Sequence, residues 1–345
     1  LAVNAFLQLF IGPISDRYGR RVMTLTCLAL FVVATFGCLV SPNVEIFLFF
    51  RMTQGVVAVG LVLSRAIVRD MVPQDEAASM IGYVTMGMAL VPMVAPMIGG
   101  VLDQAFGWHS TFWLLLVAGI GVLALCWADL GETAPGTGMS FREQIGEYPE
   151  LLQARRFWGY VFSAAFASGA FFAFLGGAPW VASNVYGMTP LQSGIGFGAP
   201  AIGYALGNGL SGRYSVRFGI NRMVRTGSVI AAAGLVSATL LAVAGLDSAL
   251  LFFGFVTFVG VGNGMVIPNA SAGMLSVRPH LAGTASGLGS AIMIGGGAAL
   301  SVVAGVVLKF GHGSLPLLVL MATSATLGLA AILYVIRREG VLRAT

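Results

Sequence analysis

Gly12-Pro13-Ile14-Ser15-Asp16-Arg17-Tyr18-Gly19-Arg20-Arg21 sets four charged side chains between two long apolar runs. Asp16, Arg17, Arg20 and Arg21 together cannot rest in hydrocarbon, so the stretch reads as a loop at a membrane surface. Gly12 and Gly19 suit a tight interhelical turn, where positive φ or close backbone approach excludes a side chain. The charges are placed to meet helix ends across that turn. On charge alone, an ordinary basic loop that fixes topology reads equally well.

The composition around the loop sets the class. Of the 345 residues 57% are hydrophobic and only 9% charged, with 48 glycines; mean hydropathy is +0.91. These values describe a polytopic helical membrane protein. The apolar runs are about 20 residues long, the length that crosses a hydrocarbon core of about 30 Å as a helix, whereas barrel strands alternate over about ten. Expected spans are 1–14, 22–41, 45–64, 78–101, 110–130, 157–180, 191–211, 222–244, 248–269, 283–308 and 315–336. The first is too short to cross, and Leu1 opens inside an apolar run. The expectation is a chain that lacks its first helix and part of its second, one helix short of twelve.

Basic residues orient the spans. With loops assigned alternately to two sides, 16 of the 18 lysines and arginines share one side, from Arg17 to Arg343, against Lys309 on the other and Arg51 inside a span. The first side is therefore expected to be cytoplasmic, with the C-terminus inside. Loops 12–21, 65–77 and 212–222 would face in, and 41–45, 102–110 and 309–314 out. This asymmetry accounts for the pI of 9.4 without a nucleic-acid partner.

Several kinds of site chemistry are not suggested. Cys27, Cys38 and Cys126 have no paired spacing, and His109, His280 and His312 fall in separate loops, so neither disulfide nor metal is expected. No Ser/His/Asp set and no G-x-x-x-x-G-K-[ST] loop is found, so an enzyme and an ATP-driven pump are both disfavoured. Gly194, Gly196 and Gly198 imitate part of a nucleotide fingerprint, but close helix packing explains them better. No cofactor is expected.

The polar stretch from Gly131 to Arg156 divides the chain into an N-terminal bundle, 1–130, an interdomain loop, 131–156, and a C-terminal bundle, 157–345. Within the loop, Phe141, Ile145, Leu151 and Leu152 could mark a short amphipathic surface helix, or the segment is a plain linker. Gly12, Arg17 and Gly19 recur as Gly212, Arg217 and Gly219, at an offset of 200, with Val216 in place of Asp16. Parallel repeats of this kind place a substrate site near the midplane between two halves.

The opening stretch, G-x-x-x-D-R-x-G-R-R, resembles the signature loop between helices 2 and 3 of the major facilitator superfamily. Arg51-Met52-Thr53-Gln54-Gly55 resembles the second superfamily motif, R-x-x-Q-G, whose arginine lines the cavity and is linked to proton coupling. Without the resemblance Arg51 has two readings. A guanidinium within a span costs at least about 2.5 kcal/mol at the helix centre unless it faces protein or water, or it snorkels to the headgroups. Ala95-Pro96-Met97-Ile98-Gly99-Gly100, in a helix that also holds Pro92, resembles the G-P-x-x-G-G motif of antiporters but has Val91 and Ala95 where glycines are usual. Ser64-Arg65-Ala66-Ile67-Val68-Arg69-Asp70 looks like the bicyclomycin and chloramphenicol resistance branch of the drug:proton antiporters.

The resemblance implies an all-α facilitator fold of two pseudo-symmetric six-helix bundles. It implies export of small, mostly apolar drugs against proton entry by a monomer in a bacterial inner membrane, with the proton gradient as energy source. The alternative is a uniporter or symporter of a small metabolite. Gly12, Asp16, Arg17, Gly19, Arg20 and Arg21 would form the cytoplasmic gate, with Asp16, Arg17 and Arg20 as a latch. Arg51 and Gln54 would serve proton coupling, and Pro92, Pro96, Gly99 and Gly100 the antiporter helix. Candidate cavity residues are Asn4, Gln8, Phe171, Phe174, Tyr204, Asn208 and Asn263, each with helix packing as its alternative. None of the 13 acidic residues falls in the middle of a span. The proton-carrying acid is expected in a first helix outside this chain.

Overall fold

The computed structural model describes residues 15, 18–71, 91, 95, 97–133, 149–278, 282–310 and 313–344. Among them no strand occurs, and the helices follow the apolar runs closely. Helix α1 spans Arg20–Leu39 and α2 Val44–Thr53, a 3-10 segment covers Gln54–Ala58, and α3 spans Val59–Met71. A helix over 97–106, α4, precedes α5, His109–Asp129. The remainder is α6 (Arg155–Asn184), α7 (Pro190–Phe218), α8 (Ile220–Val243), α9 (Ala249–Ser276), α10 (Ala282–Phe310) and α11 (Leu315–Ala344). The expected spans 1–14 and most of 78–101 lie outside the described residues.

Local signals start several of these helices. Asn43 accepts from the Ile46 N–H to cap α2, Ser248 accepts from Leu251 to cap α9, and Thr189 with Gln192 forms a reciprocal capping box on α7 with Pro190 in its first turn. Helices outrun the apolar spans at the basic ends: α7 continues to Phe218 and α11 to Ala344. Likewise α3 carries to Met71 through residues placed in a loop from sequence. Intrahelical hydrogen bonds do not need hydrocarbon, so a helix goes on past the last apolar residue until something stops it.

Seven described helices are long and apolar enough to cross a membrane. Helix α7 is long enough but is not among them, because Gly, Asn, Ser and Arg lower its hydropathy. Its small residues have a packing purpose. Gly203 and Gly207 of α7 meet Gly260 and Gly264 of α9 so closely that a Cβ at any of the four would overlap backbone of the other helix. Below them Asn269 Nδ2 donates to Ser211 Oγ at 2.7 Å. Small residues one turn apart let backbones touch, and dispersion with a buried polar bond then holds the pair where lipid supplies no hydrophobic drive.

By packing, α1–α3 and α5 form one compact unit and α6–α11 another. The second has two buried clusters. One joins Phe174, Phe252, Leu235 and Leu317, and the other Phe157, Tyr160, Val266 and Ile332. Leu151, in a helical turn over 149–153, is fully buried in the latter, whereas Leu152 is exposed. Of the proposed surface helix, Phe141 and Ile145 lie outside the described residues.

Candidate functional site

Gly19 turns the chain into α1 with φ 95°, a conformation that L side chains avoid. A Cβ there would also collide with the Glu132 carboxylate. That carboxylate sits on the helix start: Arg20 N–H donates to Oε1 at 2.7 Å and Arg21 N–H to Oε2 at 3.3 Å. An anion at a helix N-terminus satisfies orphan donors and meets the positive end of the dipole. The Arg20 side chain turns inward and is buried. Its Nε donates to Asp70 Oδ2 at 3.1 Å and its Nη1 to Ser15 Oγ. Arg21 Nη2 donates to the Trp127 carbonyl at 3.0 Å.

Of the expected gate, Gly19, Arg20 and Arg21 are thus gathered at one junction; Gly12, Asp16 and Arg17 lie outside the described residues. Asp70 and Glu132 were not singled out as partners from sequence. Asp70 was legible only as the last residue of the branch phrase.

The second copy repeats the turn and changes its chemistry. Gly219 leads into α8 with φ 81°, and Gly212 stands in open space. Val216, where the first copy has Asp16, is 97% exposed. Arg217 and Arg213 lie over the rings of Phe218 and Tyr214 at 5.5 and 5.9 Å. Glu339, from α11, pairs with Arg156 and accepts from Tyr160 Oη at 3.2 Å and Asn221 Nδ2 at 2.6 Å. The single Tyr160 hydroxyl proton is shared between Glu339 and the nearer Asn221 Oδ1, at 2.6 Å. At the opposite end of this half, Tyr186 Oη donates to Asp247 Oδ1 at 2.5 Å, and Ser314 Oγ donates to Oδ2 at 2.8 Å. Burial and that bond to Asp247 push the Tyr186 phenol well above its usual range.

Arg51 and Gln54 are three residues apart, a spacing that shares a face in an α-helix and eclipses in a 3-10 turn. Arg51 Nη1 donates to Gln54 Oε1 at 2.5 Å. Gln54 Nε2 donates to Thr35 Oγ1 at 2.8 Å, and Thr35 Oγ1 to the Phe31 carbonyl at 2.7 Å. Gln54 and Thr35 are buried and Arg51 is exposed, its guanidinium 5.4 Å from the Phe112 ring centroid. The result is a polar chain that runs from a cation into the interior of the first half, beginning where α2 tightens to 3-10.

The other candidates are placed as follows. Gly99 and Gly100 lie in α4, and a Cβ at Gly100 would come within 2.8 Å of the Pro190 carbonyl oxygen. Pro92, Pro96, Asn4 and Gln8 lie outside the described residues. Phe174 is fully buried among Phe197, Phe252 and Phe253, with Phe171 stacked on it at 6.2 Å. Tyr204 and Asn208 are half-buried on α7, where Asn208 Nδ2 donates to the Tyr204 carbonyl. Asn263 is buried on α9, and its Oδ1 has no hydrogen-bond partner. The four packing glycines of α7 and α9 were missed, although their four-residue spacings, Gly203/Gly207 and Gly260/Gly264, were a readable signal.

Comparison with known proteins places this arrangement. The chain is 33% identical over 290 residues to an uncharacterized MFS-type transporter, YdgK, of Bacillus subtilis, covering 81% of this chain and 71% of that protein. It is 29% identical over 288 residues to a bicyclomycin resistance protein homolog of Haemophilus influenzae, covering 82% and 72%. The human organic anion transporter MFSD10 (TETRAN) shares the fold, with a TM-score of 0.65 at 21% identity over 97% of this chain and 81% of that one. The family model of the Major Facilitator Superfamily matches residues 1–302, and with the turn repeated at Gly19 and Gly219 it identifies this multi-pass membrane protein as a member of that superfamily.

Proposed function

We propose that this transporter exports small, mostly apolar drug-like molecules in exchange for protons, through alternating access between two halves, 1–130 and 157–345, joined by the loop 131–156. Likeness to a bicyclomycin resistance protein homolog supports the substrate class. The observation that carries the coupling is the chain Arg51, Gln54, Thr35. An arginine stays charged at physiological pH, so Arg51 cannot carry the proton; it can hold down the pKa of a nearby acid and set when that acid lets go. Gln54 fixes the guanidinium.

The gate at Gly12, Asp16, Arg17, Gly19, Arg20 and Arg21, the antiporter helix at Pro92, Pro96, Gly99 and Gly100, and a cavity including Asn4, Gln8, Phe171, Phe174, Tyr204, Asn208 and Asn263 belong to the same proposal. So do a bacterial inner-membrane location, a cytoplasmic C-terminus and a monomeric state. No metal is part of it.

The test is drug transport in vesicles with an imposed pH gradient, alongside drug binding without one. Arg51→Ala should abolish gradient-driven export with the protein still inserted, and Arg51→Lys should retain part of it. Normal export by Arg51→Ala sends the coupling role elsewhere. A protonophore that leaves drug resistance of expressing cells unchanged removes proton drive altogether.

A further inference from the structure

In the second half a cavity of about 730 Å³ opens at the start of α8, walled by Arg156 and Tyr160 of α6, Gly219, Arg222 and Arg225 at the α8 end, and Glu339 of α11. Its volume is within the range of small-ligand sites, about 300–1,000 Å³. Three arginines face it against one glutamate. Glu339 is already committed, to Arg156, Tyr160 and Asn221. Among the described residues Arg222 and Arg225 make no hydrogen bond or ion pair, and Arg156 Nε is buried without a partner.

The first half shows what such a place takes. There Glu132 lays a carboxylate on the backbone of α1. The start of α8 has no acidic residue in its first turn, and no described side chain accepts from its first N–H groups. Instead it carries Arg222 in that turn, where a cation opposes the helix dipole. Charge asymmetry across a membrane explains arginines on one side; it does not explain why two helices converge theirs on one cavity, or why a guanidinium nitrogen is buried unpaired.

We propose that this cavity binds a phosphate-bearing anion, gripped by Arg156, Arg222 and Arg225. Guanidinium forks match phosphate oxygens bidentately, and the anion would supply the charge that the protein itself supplies at α1. The phosphate could belong to an anionic phospholipid headgroup or to a soluble phosphate. Bound there it would tie α6, α8 and α11 together, whatever substrate is moved.

Purified chain in nanodiscs of phosphatidylcholine, with and without phosphatidylglycerol, is assayed for retained phosphatidylglycerol, and detergent-purified chain is titrated with inorganic phosphate. Saturable binding is expected in at least one arm, and the positive arm names the source. Arg222→Ala with Arg225→Ala should weaken it at least about tenfold, the scale of a lost charge-assisted contact. Arg213→Ala with Arg217→Ala removes the same charge from α7, outside the cavity, and should leave it unchanged. Equal loss in both double variants, or no saturable binding in either arm, overturns the proposal. If the alanine pair does not fold, Arg222→Gln with Arg225→Gln keeps the volume and gives the same reading.

Discussion

At Gly19 and Gly219 the backbone makes nearly the same turn, φ 95° and ψ 144° against φ 81° and ψ 155°, and a helix starts at the next residue. Each half also sends a carboxylate from its last described helix or just beyond it, Glu132 after α5 and Glu339 within α11. There the likeness ends. Glu132 accepts from backbone, and the neighbouring Arg20–Asp70 pair is dry, with side chains 4% and 11% exposed. Glu339 accepts from side chains, and its partner Arg156 is 34% exposed at the edge of a cavity. The repeat dictates where the chain turns, because only glycine fits that backbone. What locks the turn differs between the halves, and the first half locks it with burial.

The comparison breaks first at Asp70. Asp70→Ala removes the carboxylate that pairs with the buried Arg20; breaking a buried pair typically costs about 3–5 kcal/mol, and yield and thermal stability in detergent should fall sharply. Glu339→Ala leaves Arg156 near solvent and should cost less. Equal losses would mean that the two junctions are equally dry.

Next in size are the turns themselves. A side chain held in this sparsely populated, almost glycine-only region of backbone space costs about 1–3 kcal/mol, and both Gly19→Ala and Gly219→Ala incur it. Gly19→Ala must also displace Glu132, which adds a lost cap of about 0.5–2 kcal/mol; at Gly219 nothing lies within 4 Å. Thermal unfolding should rank Gly19→Ala below Gly219→Ala, and the reverse ranking would remove Glu132 from its capping role. Glu132→Gln tests that role directly. It keeps one acceptor, loses the charge, and should cost no more than the cap alone.

How much of this could be read beforehand follows from sequence distance. The helices were legible because apolar runs of about 20 residues mark them, though not where α3, α7 and α11 end, and the repeated glycines announced both junctions. Arg51 and Gln54 were legible as neighbours on one face, since three residues separate them. The tightening to 3-10 at Gln54 was not, because nothing in Gln54-Gly55-Val56-Val57-Ala58 prefers it strongly. Asp70 and Glu132 could not be matched to Arg20 at all: they stand 50 and 112 residues away, and only tertiary packing chooses among the carboxylates that such distances allow. The notable exception is α7 against α9, long-range packing whose four-residue glycine spacing was present in the sequence.

The smallest effect belongs to the ion pair Arg278–Glu150, 2.8 Å apart with side chains 44% and 50% exposed. It joins the helical turn over 149–153 to the end of α9, much as Asp70 joins α3 to the start of α1. Its setting is the opposite. Solvent screens both charges, and such pairs contribute about 0–1 kcal/mol. What seats that turn is Leu151, fully buried beside Phe157 and Ile332. Arg278→Ala should therefore shift thermal unfolding only slightly, and the shift should vanish in high salt, where surface charges no longer sense each other. The Asp70→Ala loss should persist there, because the buried pair is shielded from mobile ions. A large, salt-resistant loss in Arg278→Ala would show that the second half, too, relies on a dry ion pair.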